Sequence, residues 1–186
     1  MEPRPSFPPV AAETEKVRAF FALVPDATVA GQFTTLAQDV ARRARGRAVA
    51  GDHVHVTLAF LGDVAAASIP DLVRIGDAMP HARAALAFDT LGSWRASGVA
   101  WIAPHELPPQ VLALHDALHR ALVDAGFPLD TRPFRPHVTL ARRCVHPAGR
   151  ARCTPIRWQV DRLCLIGSEL TPEGPHYREI AAWRLS

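Results

Sequence analysis

The apolar run Val17-Arg-Ala-Phe-Phe-Ala-Leu-Val24 is short and is ended by Pro25, the pattern of a buried strand. Residues 26–45 follow as a helix, with Val29, Phe33, Leu36 and Val40 at helical spacing. Arg42, Arg43 and Arg45 fall in its last turn, where cations complement the helix dipole. Residues 53–61 read as a second strand. Ser68-Ile-Pro-Asp71 carries the N-cap, early proline and acid of a helix start, predicting a helix that runs to about Met79. Residues 84–91 and 98–103 read as strands, and residues 107–125 as the strongest helix, with the stripe Val111, Leu114, Leu118, Leu122 and a C-cap signal at Gly126. Further strands are predicted at about 136–142, 158–167 and 176–184. Residues 1–16, with Pro3, Pro5, Pro8 and Pro9, read as a flexible tail, leaving one domain over residues 17–186.

Strands occur in succession without an intervening helix, which disfavours an all-parallel sheet and predicts an α+β fold with mostly antiparallel sheets. The 186 residues are 48% hydrophobic and 21% charged, the composition of a globular protein with a real core. No apolar run reaches the ~20 residues that cross a bilayer as a helix. The net charge of +3 excludes a bulk nucleic-acid coat but permits a local basic site. Lys16 is the only lysine, so arginines, whose planar fork binds phosphate through two hydrogen bonds, carry nearly all of the positive charge. Cys144, Cys153 and Cys164 match no common zinc spacing, and the first 16 residues do not read as a secretory signal, so free thiols in a reducing cytoplasm are expected.

The chain repeats one word. His55-Val-Thr-Leu-Ala59 and His137-Val-Thr-Leu-Ala141 are the same five residues, 137 − 55 = 82 positions apart. Both are rich in β-branched residues and read as strands, in which His and Thr, two apart, share a face. Two such His–Thr pairs facing one cleft, as a pseudo-two-fold would place them, make a specific chemistry available. Two imidazoles can serve as one acid and one base near neutral pH, each contributing roughly 10²–10⁴-fold. Two hydroxyls can donate to phosphate oxygens. The set suits transfer at a phosphodiester.

Around these words the sequence resembles the two-histidine (2H) phosphoesterases, marked by paired His-x-Thr motifs, and within them the RNA 2′,3′-cyclic phosphodiesterases, also named 2′-5′ RNA ligases. The resemblance rests on Val17-Arg-Ala-Phe-Phe-Ala-Leu-Val-Pro25, His55-Val-Thr-Leu-Ala-Phe-Leu-Gly62, Phe134-Arg-Pro-His-Val-Thr-Leu-Ala-Arg142 and Gly174-Pro-His-Tyr177 before Trp183, and covers about residues 17–184. It implies a bilobal α+β fold of two mostly antiparallel sheets, with flanking helices, around a central cleft. It implies hydrolysis of RNA 2′,3′-cyclic phosphate ends to 2′-phosphates by a cytoplasmic monomer without metal or cofactor, with 2′-5′ ligation as the reverse activity. His55 would be the proton donor and His137 the acceptor. Thr57, Thr139 and Arg142 would bind phosphate, and Phe60 would stack on the terminal base. His53 departs from the small polar amide often found two before the first histidine; strand period sets it on the face of His55, as a substrate contact or a rim residue. Arg135 holds the equivalent place before His137, as a further phosphate contact or a surface residue.

Competing readings are a protein that binds RNA ends without catalysis, and a 2H enzyme acting on small cyclic nucleotides or 2′-5′ oligonucleotides. His115-Asp-Ala-Leu-His119 puts two imidazoles on one helical face, as zinc-binding helices do, but amphipathic packing accounts for them. Arg42, Arg43, Arg45 and Arg47 read as a solvated helix end or as an RNA-backbone contact. Trp94, Trp101, Trp158 and Trp183 read as core or edge aromatics.

Overall fold

A computed structural model of the chain describes residues 15–130, 132–146, 149–172 and 174–186; residues 1–14 of the expected tail lie outside the described residues. Strand β1 (Lys16–Leu23) leads to α1 (Ala27–Ala44), a short β2 (Arg47–Ala48), β3 (Val56–Ala65), α2 (Ile69–Asp77), β4 (Ala84–Trp94) and β5 (Val99–Pro104). There follow α3 (Pro109–Asp124), β6 (Val138–Arg142), β7 (Ala151–Val160), β8 (Arg162–Thr171) and β9 (Gly174–Arg184). Two sheets result, ordered β3-β1-β8-β9 and β2-β6-β5-β4-β7. Every described pairing is antiparallel, as the sequence pattern predicts.

The local signals explain most element ends. The Asp26 carboxylate accepts the Val29 N–H at 2.8 Å and starts α1, and Arg45, at φ 50°, closes it in the left-handed conformation. Its buried face is Val29, Phe33, Ala37, Ala41 and Ala44. Pro109 opens α3, whose buried stripe is Val111, Leu114, Leu118 and Leu122.

Three expectations change. Ser68 is not a side-chain cap: a 3₁₀ turn, Ala66–Ser68, runs directly into α2 and gives Ser68 a helical backbone at φ −84°, ψ −9°. The single strand expected at 158–167 is the end of β7 and the start of β8, separated at Asp161, where the chain passes from one sheet to the other. Apolar positions resume at Leu163, directly after Asp161 and Arg162, because both strands bury a face in the same core. The strand expected from residue 53 begins at Val56, and His53 belongs to a 3₁₀ turn, Gly51–His53, whose closing bond runs from the His53 N–H to the Ala50 carbonyl at 3.0 Å.

The duplication extends beyond the word. β1–α1–β3 and β5–α3–β6 are both strand–helix–strand units whose strands pair antiparallel. Their helices start 109 − 27 = 82 residues apart, the same offset as the words. Each helix packs across the molecule: α1 lies against β6 and β2 of the second sheet, and α3 against β3 of the first. The shared core between the sheets holds Phe33 edge-on to Phe88 at 5.2 Å and Phe88 stacked on Trp158 at 5.9 Å. Each such side chain contributes roughly 1.5–3 kcal/mol by burial. Trp183 closes the far side through an Nε1–H bond to Asp77 at 2.7 Å, packed so closely on Gly76 that a Cβ there would meet the indole at 2.2 Å.

Candidate active site

The two words begin one residue before their strands, β3 in the first sheet and β6 in the second. In each, the histidine is fixed by the backbone of the residue two positions earlier. His55 Nδ1–H donates to the His53 carbonyl at 2.8 Å, and His137 Nδ1–H to the Arg135 carbonyl at 2.7 Å. This choice of tautomer leaves both Nε2 atoms as bare lone pairs in the neutral rings. The Thr57 hydroxyl donates to His55 Nε2 at 3.1 Å. Each site thus holds a base-ready nitrogen by a main-chain tether that any residue at position 53 or 135 could supply.

The words also repeat a bulge. In β3, Thr57 pairs with Ala22 and Ala59 with Phe21, skipping Leu58; in β6, Thr139 pairs with Trp101 and Ala141 with Ala100, skipping Leu140. A bulge puts two consecutive residues on one side. Leu58 and Ala59, and likewise Leu140 and Ala141, turn inward and are buried. The next residue, Phe60 or Arg142, therefore returns to the face of the threonine three positions before it. Phe60 and Arg142 occupy one position of the repeat, 142 − 60 = 82, and the bulge is why a five-residue offset from each histidine returns to its face.

Phe60 is 44% exposed, with the Arg18 guanidinium 4.9 Å from its ring centroid. Arg142 is exposed at the end of β6 and is paired in register with Arg47 of β2, which brings one member of the basic cluster beside it. Arg42 and Arg43 instead form ion pairs with Asp39 on their own helix.

The electrostatics tie the two words together. Burial lowers the His55 pKa to about 4, against the tether to His53; the positive charges of His137, Arg142 and His53 lower it further. Burial likewise holds His137 below the ordinary imidazole value, again opposed by its backbone tether and reinforced by Arg142. Motifs carried on different sheets are thus close enough for the charge of one to act on the other, and Arg142 acts on both.

Several residues join the site that the sequence reading left in the background. Tyr177 of β9 packs on His53 at 4.4 Å, Phe20 at 5.2 Å and His55 at 5.6 Å between ring centroids, forming the wall beside His55. Burial raises its phenol pKa, and Arg142 and Arg18 oppose that rise. The quoted Gly-Pro-His-Tyr ending was its only sequence signal. On the other side, Trp94 meets His137 edge to face at 4.6 Å and lies beside Trp101 at 5.7 Å. Trp158 and Trp183 are core residues, whereas Trp94 and Trp101 line the cleft. The Trp101 indole lies flat on Gly92, where a Cβ would come within 2.3 Å of it. His115 stacks on Phe134 at 3.9 Å and sits 5.8 Å from His119.

A buried carboxylate, Asp89, anchors a polar cluster at the cleft wall. Asp89 lies where β4 breaks register with both of its neighbours. Its carboxylate accepts from the Thr90 hydroxyl at 2.9 Å and from His105 Nδ1–H at 2.9 Å, and pairs with Arg152 at 3.1 Å. Burial works against its charge, but these partners outweigh that and hold its pKa below the usual carboxylate value.

Fold and site define a duplicated α+β protein of the two-histidine class, with one His-x-Thr word on each of two antiparallel sheets. Residues 24–171 match the model of the 2′-5′ RNA ligase superfamily, and the chain belongs to that family. The RNA 2′,3′-cyclic phosphodiesterase of Thermus thermophilus is 30% identical over 170 residues, covering 80% of this chain and 81% of that protein. The protein of the same name from Escherichia coli is 35% identical over 97 residues, so that match spans about half of each, 52% and 55%. The crystal structure of Escherichia coli LigT complexed with 3′-AMP superposes with a TM-score of 0.83 at 27% identity, covering 92% of this chain and 99% of that one.

Proposed function

We propose that this protein hydrolyses RNA 2′,3′-cyclic phosphate ends to 2′-phosphates, without metal or cofactor, acting on one RNA 3′ end at a time. The observation that carries the reading is the pair of tethered imidazoles, one per sheet, with the charge of His137 acting on His55 and that of Arg142 acting on both. His137 Nε2 takes a proton from water as the water oxygen bonds to phosphorus. The P–O3′ bond breaks and His55, protonated at Nε2, gives its proton to O3′. Thr57, Thr139 and Arg142 hold the non-bridging oxygens, and Phe60 stacks on the terminal base, an interaction worth ~1–3 kcal/mol.

A bound phosphate anion offsets the positive charges that depress His55 and raises its pKa, so the acid becomes protonated as substrate docks. The Thr57 hydroxyl, which donates to His55 Nε2 in the empty site, is then freed to donate to a phosphate oxygen. His53 acts through its carbonyl tether and its contact with Tyr177, and Arg135 through its own tether and its place beside His137. One chain carries both words, so we take the enzyme to act as a monomer. Its free cysteines, Cys144 and Cys164 buried and Cys153 partly so, fit a reducing cytoplasm.

The test is turnover of a cyclic-phosphate-ended oligonucleotide by the wild type and by His55→Ala, His137→Ala and the double variant. Each single change is expected to cost roughly 10²–10⁴-fold. Full turnover by the double variant would overturn the mechanism, and RNA binding with no turnover by the wild type would overturn the reading in favour of a binding protein.

A further inference from the structure

The small net charge hides a strong separation of charge. Residues 40–51 hold four arginines and residues 131–160 seven, with no Asp or Glu in either segment, so the rest of the chain stands at 3 − 11 = −8. The two segments meet at one end of the second sheet. Arg47 of β2 pairs with Arg142 of β6, and the Val145 and His146 N–H groups donate to the Ala44 carbonyl at 3.0 Å. Gly46 runs so close to this strand that a Cβ there would meet the Arg142 carbonyl oxygen at 2.9 Å. The Cys144 N–H donates to the Gly98 carbonyl at 2.9 Å, which joins the turn between β4 and β5, with exposed Arg95, to the same end.

This arrangement works against the fold in two ways. Arg47 and Arg142 stand directly opposite each other on strands ~5 Å apart, where like charges repel. Arg45 and Arg143, at φ 50° and 55°, are the only non-glycine residues with positive φ among the described residues, and glycine or asparagine adopts that conformation at less cost. Arg45, Arg47, Arg142 and Arg143 are all exposed, and none has a carboxylate partner among the described residues. Arg42 and Arg43, on the same helix end, are instead neutralised by Asp39. Neither packing nor ion pairing accounts for four unneutralised guanidiniums at one sheet end. A row of phosphates does, because each fork can take two phosphate oxygens.

We infer that Arg45, Arg47 and Arg143 form a phosphate-binding ridge, continuous with Arg142, that holds the backbone of the RNA upstream of its cyclic end. The inference rests on the proposed function, in which Arg142 grips the scissile phosphate. The next phosphates belong to the same strand, and the ridge begins beside Arg142. Phosphate contacts read no sequence. The ridge therefore selects for chain length, and makes the substrate an RNA strand in preference to a small cyclic nucleotide.

The experiment compares kcat/KM for a nucleoside 2′,3′-cyclic phosphate with that for a hexanucleotide ending in the same cyclic nucleoside. The wild type is expected to favour the hexanucleotide, and to lose that preference with salt at ~0.7 in log–log slope for each phosphate neutralised. Arg47→Gln and the double variant Arg45→Gly/Arg143→Gly, in which glycine suits both backbone positions, are expected to lower the hexanucleotide value at least fivefold. Their values for the mononucleotide should stay within twofold of wild type, which also reports that they are folded. Arg74→Gln, which removes one positive charge from α2, should change neither substrate. Equal salt slopes for the two substrates, an equal loss on both in the ridge variants, or a loss in Arg74→Gln as large as in Arg47→Gln would overturn the ridge alone. Absence of turnover of both substrates by the wild type would overturn the underlying function instead.

Discussion

His55→Gln tests the electrostatics of the site without any substrate. In the folded protein the His55 pKa is lowered from 6.5 to about 4, chiefly by burial. In the unfolded chain it takes up a proton near 6.5. Between those values the unfolded state binds more protons, so the wild type loses stability as pH falls through this window, and the neutral glutamine does not. Linkage puts the contribution at ~0.2 kcal/mol at pH 7 and ~2 kcal/mol at pH 5. The variant's unfolding free energy, relative to wild type, should therefore rise by about 2 kcal/mol between pH 7 and pH 5. All other titrating groups cancel in the difference, to the extent that they do not couple to His55. Urea melts followed by circular dichroism at pH 7, 6 and 5 measure it. A difference that stays flat across the series would refute the claim that His55 is held neutral by burial and by its cationic neighbours.

The remaining expectations concern catalysis and packing. Because both imidazoles lie below their ordinary value in the free protein, kcat/KM should be bell-shaped with its maximum on the acid side of 6.5. Arg142→Gln removes a charge that depresses both histidines, so it should weaken substrate binding and move the bell to higher pH; an unmoved bell would contradict the coupling. Phe60→Ala should cost ~1–3 kcal/mol in kcat/KM, read against a substrate with an abasic terminal ribose that loses nothing further. Gly76→Ala forces Trp183 to move and should destabilise the fold by ~1–3 kcal/mol while the surviving folded protein keeps its kcat.

Much of this was legible in the chain. Apolar periodicity located the strands and helices, because each buries one face and its spacing records that face. The repeated word located both tethered histidines, because the tether uses only main-chain atoms and is set by the local backbone. What periodicity does not record is which strands pair. The passage between sheets at Asp161 was hidden because apolar positions resume within two residues of it, and the assignment of the two words to different sheets rested on an assumed two-fold. The bulges at Leu58 and Leu140 are properties of a pair of strands, not of either alone. Without them, strict alternation sets Phe60 and Arg142 on the wrong face. Tyr177 and Trp94 reach the histidines from non-adjacent strands of the same sheets, 122 and 43 residues away in sequence, 177 − 55 and 137 − 94, a separation that no local pattern spans. Asp89 and His105 gave no signal, since a buried carboxylate at a register break looks in sequence like any strand acid.

The central claim is the identity of the reaction, and the chemistry of the product end reads it most directly. Purified protein is incubated with a 2′,3′-cyclic-phosphate oligonucleotide in excess EDTA, and the new monoester is assigned to the 2′ or the 3′ oxygen. Protonation of O3′ by His55 as water enters from His137 predicts a 2′-phosphate, formed at an undiminished rate in EDTA. A 3′-phosphate product, or activity abolished by EDTA and restored by a divalent metal, would contradict it.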